Sequence, residues 1–268
     1  MRQIKHERVE VLSNIRVGAG YFRIRLSCHR QYTRAVPGQF VMVSLSDRIE
    51  PLLPRPFSIH RLIIEKGFAT AIELLCKVVG KGTYQLSLKQ PGDFVDLMGP
   101  LGNGFIIPAR LLNVYIVAGG IGVAPLVFLL AFLEEQKIDL AGVRVFLGAK
   151  SKADILCQKE FSSLGVKVHT TTDDGSFGDR CLVTDPLERA VAENQPDIIY
   201  ACGPLEMLTC VAGIADKHSA FCQVSIETMM ACGMGACLGC AVASRNHPDT
   251  YLRACRDGPV FDTRAIEI

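Results

Sequence analysis

Four cysteines near the carboxyl end constrain this chain more than any other feature. Cys232, Cys237 and Cys240 are spaced Cys-x4-Cys-x2-Cys, and Cys255 follows after fourteen intervening residues. Three thiolates from one tight loop and a fourth from a separate turn can converge on two irons, and this is the plant-type spacing for a [2Fe–2S] cluster. Gly233, Gly235 and Gly239 interleave the ligands, so the loop can bend sharply and aim backbone N–H groups at the sulfurs. A zinc site and buried structural thiols are the alternatives. Zinc more often takes two short Cys-x2-Cys knuckles. The second knuckle is missing here, and His247, beside Asn246 and Pro248, reads as surface. The pattern changes from about Ser225, residues 228–240 show little periodicity, and a loop-rich segment of about 40 residues, 225–268, cannot bury a core of its own. The cysteines are the obvious means of holding it.

The rest of the chain is globular: 49% of its 268 residues are hydrophobic and 21% charged. Eleven cysteines, an odd number, behind a charged start at Met1–Glu10 argue against a secreted disulfide scaffold and for a reducing, cytoplasmic setting. Lys+Arg 29 against Asp+Glu 27 leaves +2, which offers no broad footprint for nucleic acid. Leu111 to Leu133 is 23 residues without a charge, long enough to span a bilayer. Gly119, Gly120, Gly122 and Pro125 sit inside it, however. Val114–Ala118 reads as a buried strand and Pro125 onward as a helix, so the expectation is no membrane span.

Residues 1–107 carry short apolar runs, among them Tyr21–Leu26, Phe40–Leu45, Pro51–Pro56 and Ile72–Val79. Turns at Pro37-Gly38, Pro91-Gly92 and Gly99-Pro100 separate them, which predicts a small antiparallel β-barrel. Residues 108–224 change rhythm. Val114–Ala118, Val143–Gly148, Val166–Thr170 and Ile198–Cys202 alternate with helical stretches at 125–136, 154–163 and 182–193. That alternation predicts a parallel sheet with crossovers, a Rossmann-like nucleotide-binding domain. The fold class is thus β plus α/β, with a small carboxyl-terminal metal segment.

Two motifs lie ahead of the cysteines. Arg55-Pro56-Phe57-Ser58 enters a strand, and Val79-Gly80-Lys81-Gly82-Thr83 follows some 22 residues on. An arginine can neutralise a pyrophosphate, and a Gly-x-Gly-Thr turn at a helix start can add backbone N–H groups and a hydroxyl. Ser58 can hydrogen-bond a flavin ring nitrogen. Alone, the tetrapeptide equally suits a Pro-rich strand entry. Ala118-Gly119-Gly120-Ile121-Gly122-Val123-Ala124-Pro125 follows a strand and opens a helix, the setting in which a glycine turn receives a dinucleotide pyrophosphate. Ala201-Cys202-Gly203-Pro204 ends a later strand at the carboxyl edge, where a small buried residue is the plain alternative for Cys202. Asp173 and Asp174, also after a strand, would repel a 2′-phosphate and lean towards NAD over NADP; Lys150 and Lys152 lean the other way, and a solvated loop accounts for all four.

In this order the pieces resemble the ferredoxin–NADP reductase superfamily. Within it they resemble the electron transfer subunits of dihydroorotate dehydrogenase B. Met230-Ala231-Cys232-Gly233-Met234-Gly235-Ala236-Cys237-Leu238-Gly239-Cys240 and Cys255-Arg256-Asp257-Gly258-Pro259-Val260-Phe261 carry that likeness. The resemblance implies FAD held by Arg55, Pro56, Phe57 and Ser58, by Leu75, Cys76 and Lys77, and by Gly82 and Thr83. It implies the cluster on Cys232, Cys237, Cys240 and Cys255, and NAD over Gly119, Gly120 and Gly122 and near Cys202, Gly203 and Pro204. It implies a separate FMN-containing catalytic subunit that oxidises dihydroorotate in pyrimidine biosynthesis, in a heterotetramer, with electrons passing through [2Fe–2S] and FAD to NAD+. Phe57 stands where many relatives have a smaller aliphatic residue and Lys77 where they often have arginine, whose planar fork lysine lacks. No side chain of this chain is expected to act as a general acid or base. An NAD(P)H reductase subunit serving a hydrogenase or a ferredoxin-coupled complex is the alternative. Met229, Met230, Met234 and Leu238 offer an apolar face for a partner, or for packing against the barrel.

Overall fold

The computed structural model describes residues 4–45 and 52–268; Pro51, which opens the Pro-rich run, lies outside the described residues. Seven strands form the first sheet: β1 (Lys5–Gly18), β2 (Tyr21–Ser27), β3 (Phe40–Ser44), β4 (Arg55–Ser58), β5 (Arg61–Glu65), β6 (Phe68–Lys77) and β7 (Phe94–Leu101). A short helix, α1 (Lys81–Ser87), precedes β7. The order is β4-β3-β7-β1-β2-β6-β5, antiparallel throughout. In β2 the period of two sends Phe22, Ile24 and Leu26 into the core, with Arg23 and Arg25 on the other face. The edge strands β4 and β5 are linked by Ile59 and His60 alone. Ile59 N–H donates to the Gln39 carbonyl (3.0 Å) and His60 N–H to the Glu73 carbonyl (2.9 Å). These two bonds tie β4 and β5 to opposite sides and curl the sheet into a half-barrel.

The second sheet holds parallel strands β8 (Val114–Gly119), β9 (Val143–Ala149), β10 (Lys167–Thr172), β11 (Ile198–Cys202) and β12 (Cys222–Ser225) in the order β10-β9-β8-β11-β12. Helices α2 (Val123–Glu135), α3 (Gln158–Ser163), α4 (Thr184–Glu193) and α5 (Leu205–Lys217) make the crossovers. The order reverses between β8 and β11, which places a ligand crevice at their carboxyl ends. The uncharged stretch 111–133 resolves into the buried strand β8, a glycine turn and the largely buried helix α2. Leu126, Leu129, Leu130 and Leu133 pack with the second sheet while Phe128 enters the half-barrel's core. Among the described residues no helix is long and apolar enough to cross a membrane.

The carboxyl-terminal segment is held by more than its cysteines. After a hairpin of β13 (Ala241–Ala243) and β14 (Tyr251–Arg253), strand β15 (Val260–Asp262) joins the second sheet antiparallel to β12. The half-barrel grips the same segment. Asn103 N–H donates to the Gly258 carbonyl (2.6 Å), and a Cβ on Gly102 would stand 2.6 Å from Pro259 Cδ. Helix α5 and the long β1 were not evident in the sequence. In α5, Leu208, Val211, Ala212, Ile214 and Ala215 bury at helical spacing, but Gly213 and Thr209 within it weaken the local propensity signal.

Candidate functional site

The cysteine loop leaves β12 and returns to the protein before β13. Its four thiols come together in two pairs. Cys240 Sγ lies 3.2 Å from Cys255 Sγ, and the Cys232 thiol is hydrogen-bonded to Cys237. Cys255 N–H points at Cys240 Sγ (3.5 Å) and Gly239 N–H at Cys237 Sγ (3.5 Å). Burial opposes ionisation of Cys232. The backbone N–H groups of Cys237, Met234 and Ala236, with the Cys237 thiol, nonetheless bring it down to about 6. For Cys255, burial and the Cys240 sulfur together push the thiol up to about 12. Among the described residues no three His, Cys, Asp or Glu side chains close around a single ion. Two pairs of sulfurs, with N–H groups turned on them, are instead the donor set that two irons require.

Cys240 and Cys255 are buried, whereas Cys237 is exposed. The two buried ones belong to a hydrophobic core that also contains Phe40 and Met42 of β3 and Leu101 of β7. Phe40 pairs in register with Ser58 and Met42 with Pro56. A Cβ on Gly233 would meet Met42 Cγ at 2.5 Å. The cysteine loop therefore rests on the strand beside Arg55–Ser58. That placement follows from long-range packing, which no local motif reveals.

Arg55, Pro56, Phe57 and Ser58 are β4, each half-buried. Arg55 donates to the Leu53 carbonyl at 2.7 Å, which bends the guanidinium back along its own chain. Among the described residues the Ser58 hydroxyl has no hydrogen-bond partner. Leu75 and Cys76 are buried in β6; Lys77 at its end is exposed, with Nζ 5.2 Å from the Tyr21 ring centre. Thr83 is engaged within its own turn. Its hydroxyl accepts from Val79 N–H (2.9 Å) and Gly80 N–H (3.1 Å), so it caps its own helix, leaving the α1 end itself as the feature that can face a phosphate. Thr228, between β12 and the cysteine loop, was not singled out in the sequence. Its hydroxyl oxygen is buried with no partner among the described residues, an orphan that a polar ring edge would satisfy.

At the switch point the glycines divide their tasks. A Cβ on Gly122 would lie 2.3 Å from the Cys202 carbonyl oxygen, and one on Gly119 would lie 2.7 Å from Pro204 Cδ. These two, with Gly203, let the β8 turn pack backbone to backbone on the end of β11. Gly120 has φ +52 and open space around its Cβ position, so it is the one of the turn's three glycines that no neighbouring segment packs against. Cys202 is half-buried, and burial pushes its thiol up to about 12, eased by Ser225, so it is neutral near pH 7. Asp174 spends its carboxylate on Ser176 N–H (2.9 Å) and Oγ (2.6 Å), and those bonds hold its pKa below the usual range. Its first use is closing a turn.

His60, two residues past Ser58, crosses between the two sheets. It is fully buried, and Nδ1 lies 3.0 Å from the Ala124 carbonyl oxygen. A carbonyl only accepts, so Nδ1 carries the proton. Burial lowers its pKa from 6.5 to about 4; nearby Arg61 and Arg23 act in the same sense, against Glu73 and the Ala124 carbonyl. The unfolded chain therefore binds a proton between pH 6.5 and about 4 that the native protein refuses, and stability falls as pH drops through that window. The full loss is about 3 kcal/mol. His60→Asn removes this contribution, so urea denaturation at neutral pH and near the lower limit should show wild type losing about 3 kcal/mol more than the variant. Equal losses would contradict it.

Comparison with known proteins adds the following. Residues 227–267 match the iron–sulfur cluster binding domain of dihydroorotate dehydrogenase B, and residues 116–213 match the oxidoreductase NAD-binding domain. The electron transfer subunit of dihydroorotate dehydrogenase B (NAD(+)) from Desulforamulus reducens is 43% identical over 228 residues, 85% of each chain. Its counterpart from Geobacillus kaustophilus is 37% identical over 267 residues, 99% of each chain. Among solved structures, a chain of the NADH-dependent reduced ferredoxin–NADP oxidoreductase superposes with a TM-score of 0.82 at 27% identity, covering 97% of this chain and 89% of that one. A ferredoxin NADP+ reductase from Neisseria gonorrhoeae, with bound FAD and NADP, gives 0.66 at 16% identity over 81% and 92%, a likeness of fold.

Proposed function

Because the chain belongs to the family of dihydroorotate dehydrogenase B electron transfer subunits, we propose that it delivers electrons from a dihydroorotate-oxidising FMN subunit to NAD+, in pyrimidine biosynthesis. It is an NAD-linked flavin and iron–sulfur oxidoreductase subunit, and the path runs by way of the [2Fe–2S] cluster and FAD. One observation carries this reading. A single hydrophobic core joins Cys240 and Cys255 to β3, whose register partner is Arg55–Ser58. Metal ligands and flavin strand are thus braced on one another.

Cys232, Cys237, Cys240 and Cys255 are the cluster ligands. FAD is held by Arg55, Pro56, Phe57 and Ser58, by Leu75, Cys76 and Lys77, and by Gly82 and Thr83 at the start of α1. NAD lies over Gly119, Gly120 and Gly122 beside Cys202, Gly203 and Pro204. When bound, the flavin exchanges a hydride with a nicotinamide and single electrons with an iron–sulfur centre. The side chains bind and place. Ser58 and Thr228 offer hydroxyls to the ring edge, Cys202 presents a neutral thiol to the nicotinamide, and Gly120 clears the pyrophosphate. The three units are residues 1–107, 108–224 and 225–268, the last lending β15 to the second. Met229, Met234 and Leu238 are exposed on the cysteine loop and form the face for the catalytic subunit in a heterotetramer, whereas Met230 packs on the core. Eleven free cysteines suit the cytoplasm.

Ser58→Ala tests the flavin contact. Reduction of the flavin by NADH should slow by about tenfold, the rate equivalent of one lost hydrogen bond of about 1.4 kcal/mol, while FAD stays bound. Stopped-flow traces that match wild type would remove Ser58 from this role. The likeness to the ferredoxin-coupled oxidoreductase favours a second client, a ferredoxin-linked complex. Mass spectrometry of what co-purifies decides between them: an FMN subunit supports the first reading, a multi-cluster partner the second.

A further inference from the structure

His60 belongs to no motif, yet its position is unusual. It is fully buried, it sits in the two-residue link that closes the half-barrel, and its Nδ1–H donates to the Ala124 carbonyl 64 residues away. Its own backbone N–H is fixed on the Glu73 carbonyl, and Ile59 N–H on the Gln39 carbonyl. The ring is therefore anchored on a rigid part of the half-barrel. Ala124 is equally well placed on the other side. It lies in the first turn of α2, two residues after Gly122, whose backbone abuts Cys202 and Gly203 with no space for a Cβ. One hydrogen bond thus connects the Arg55–Ser58 strand, two residues back from His60, to the turn at the topological switch point.

The other polar contacts between the sheets lie elsewhere, the Asn103 N–H to Gly258 carbonyl bond (2.6 Å) at the carboxyl-terminal segment among them. Tyr21 OH donates to Asp154 (2.8 Å), and Arg23 and Arg61 approach Glu160 at 3.6 and 3.9 Å. These join the half-barrel to the β9–β10 connection; Tyr21 is buried, while the Arg23, Arg61 and Glu160 side chains are partly exposed, so water and salt weaken those ion pairs. None of them reaches the glycine turn. The His60–Ala124 bond is dry and directional. Its ring is neutral across the physiological range, so no charge is buried to make it.

We infer that His60 is a positioning residue which sets the spacing between the flavin strand β4 and the dinucleotide turn Gly119–Ala124. The inference rests on the preceding reading, in which β4 carries FAD and the turn carries NAD. Hydride transfer depends steeply on reactant placement, and a shift of the order of 1 Å costs up to about a hundredfold in rate. A neutral donor at this position holds that placement without itself touching either cofactor.

The test uses the full chain with its FAD and cluster. His60→Phe keeps a ring of similar bulk and removes the donor. His60→Asn removes the ring and keeps an N–H near the position of Nδ1. Flavin uptake is read first, from the visible spectrum, and then flavin reduction across a range of NADH concentrations by stopped flow. His60→Phe should be slower by about tenfold at saturating NADH, with half-saturation within about twofold of wild type, and His60→Asn should recover to within about threefold. A purely structural role would not separate the two variants in this way. Equal rates in both variants, fast or slow, overturn the proposal. Should His60→Phe fail to fold, the wild-type tautomer decides through ¹⁵N NMR of labelled histidine. A protected Nδ1–H supports the proposal, and an Nε2–H tautomer overturns it. A wild-type chain that takes up no flavin overturns the underlying reading as well, and the order of measurement keeps the two failures apart.

Discussion

Replacing Cys237 by alanine is expected to cut electron exchange between NADH and the catalytic subunit by at least about a hundredfold, since even outer-sphere changes at metal sites cost up to that much. NADH oxidation by an artificial acceptor, which needs only the flavin, should stay within about threefold of wild type. Cys237 is the informative ligand because of where it stands. Cys240 and Cys255 are 2% exposed within a core that includes Phe40, Met42 and Phe261, so truncating either removes packing along with a ligand. Cys237 is exposed; its sulfur receives the Gly239 N–H, and its thiol donates to the neighbouring Cys232. Its loss should bleach the cluster absorption and leave the fold intact. Parallel assays on one preparation check this. Loss of both activities would instead point to collapse of the carboxyl-terminal segment. Unchanged transfer to the catalytic subunit would mean that Cys237 holds no iron.

The second large effect is expected at Gly122. The added methyl of Gly122→Ala would overlap the Cys202 carbonyl oxygen at 2.3 Å and the Gly203 nitrogen at 2.7 Å, both of them backbone atoms that cannot swing aside. The turn must move away from the end of β11. Overpacking of this kind costs about 1–3 kcal/mol, which a domain of this size survives. The larger consequence falls on placement, because on the proposed reading the turn and Cys202–Pro204 are the two banks between which the dinucleotide binds. NADH-driven flavin reduction should fall by about a hundredfold, with FAD and iron contents unchanged. Gly120→Ala, with open space around the new methyl but φ +52, should strain the turn without parting the banks. A Gly122→Ala protein that reduces its flavin at the wild-type rate would mean the nicotinamide does not lie at this seam.

Much of the architecture was legible because local chemistry dictated it. The alternation Tyr21-Phe22-Arg23-Ile24-Arg25-Leu26 gave a half-buried strand, and Ile198–Cys202 agrees with β11 at both ends. The stretch 111–133, ambiguous in hydropathy, was settled by its glycines and Pro125, which break any single helix. What stayed hidden depends on contacts between distant segments. Nothing near Val260 says that it will extend the second sheet, since β15 forms only where β12 leaves an open edge. The commitment of Thr83 to its own turn could not be separated from phosphate binding, because both need a hydroxyl at a helix start. The glycines of 119–122 were read together, although only the fold shows that Gly122 faces backbone and Gly120 faces outward. His60 and Thr228 carried no motif. The significance of His60 lies in a buried bond to a carbonyl 64 residues away and that of Thr228 in a buried hydroxyl without a partner among the described residues, both properties of the folded state.

Anaerobic purification followed by iron, sulfide and flavin analysis decides whether the thiols of Cys232, Cys237, Cys240 and Cys255 hold a two-iron cluster beside a flavin-binding half-barrel. About two irons, about two labile sulfides and about one FAD per chain are expected, with the iron lost and the FAD kept in Cys237→Ala. Zinc in place of iron, or a colourless chain carrying neither pigment, would contradict the account.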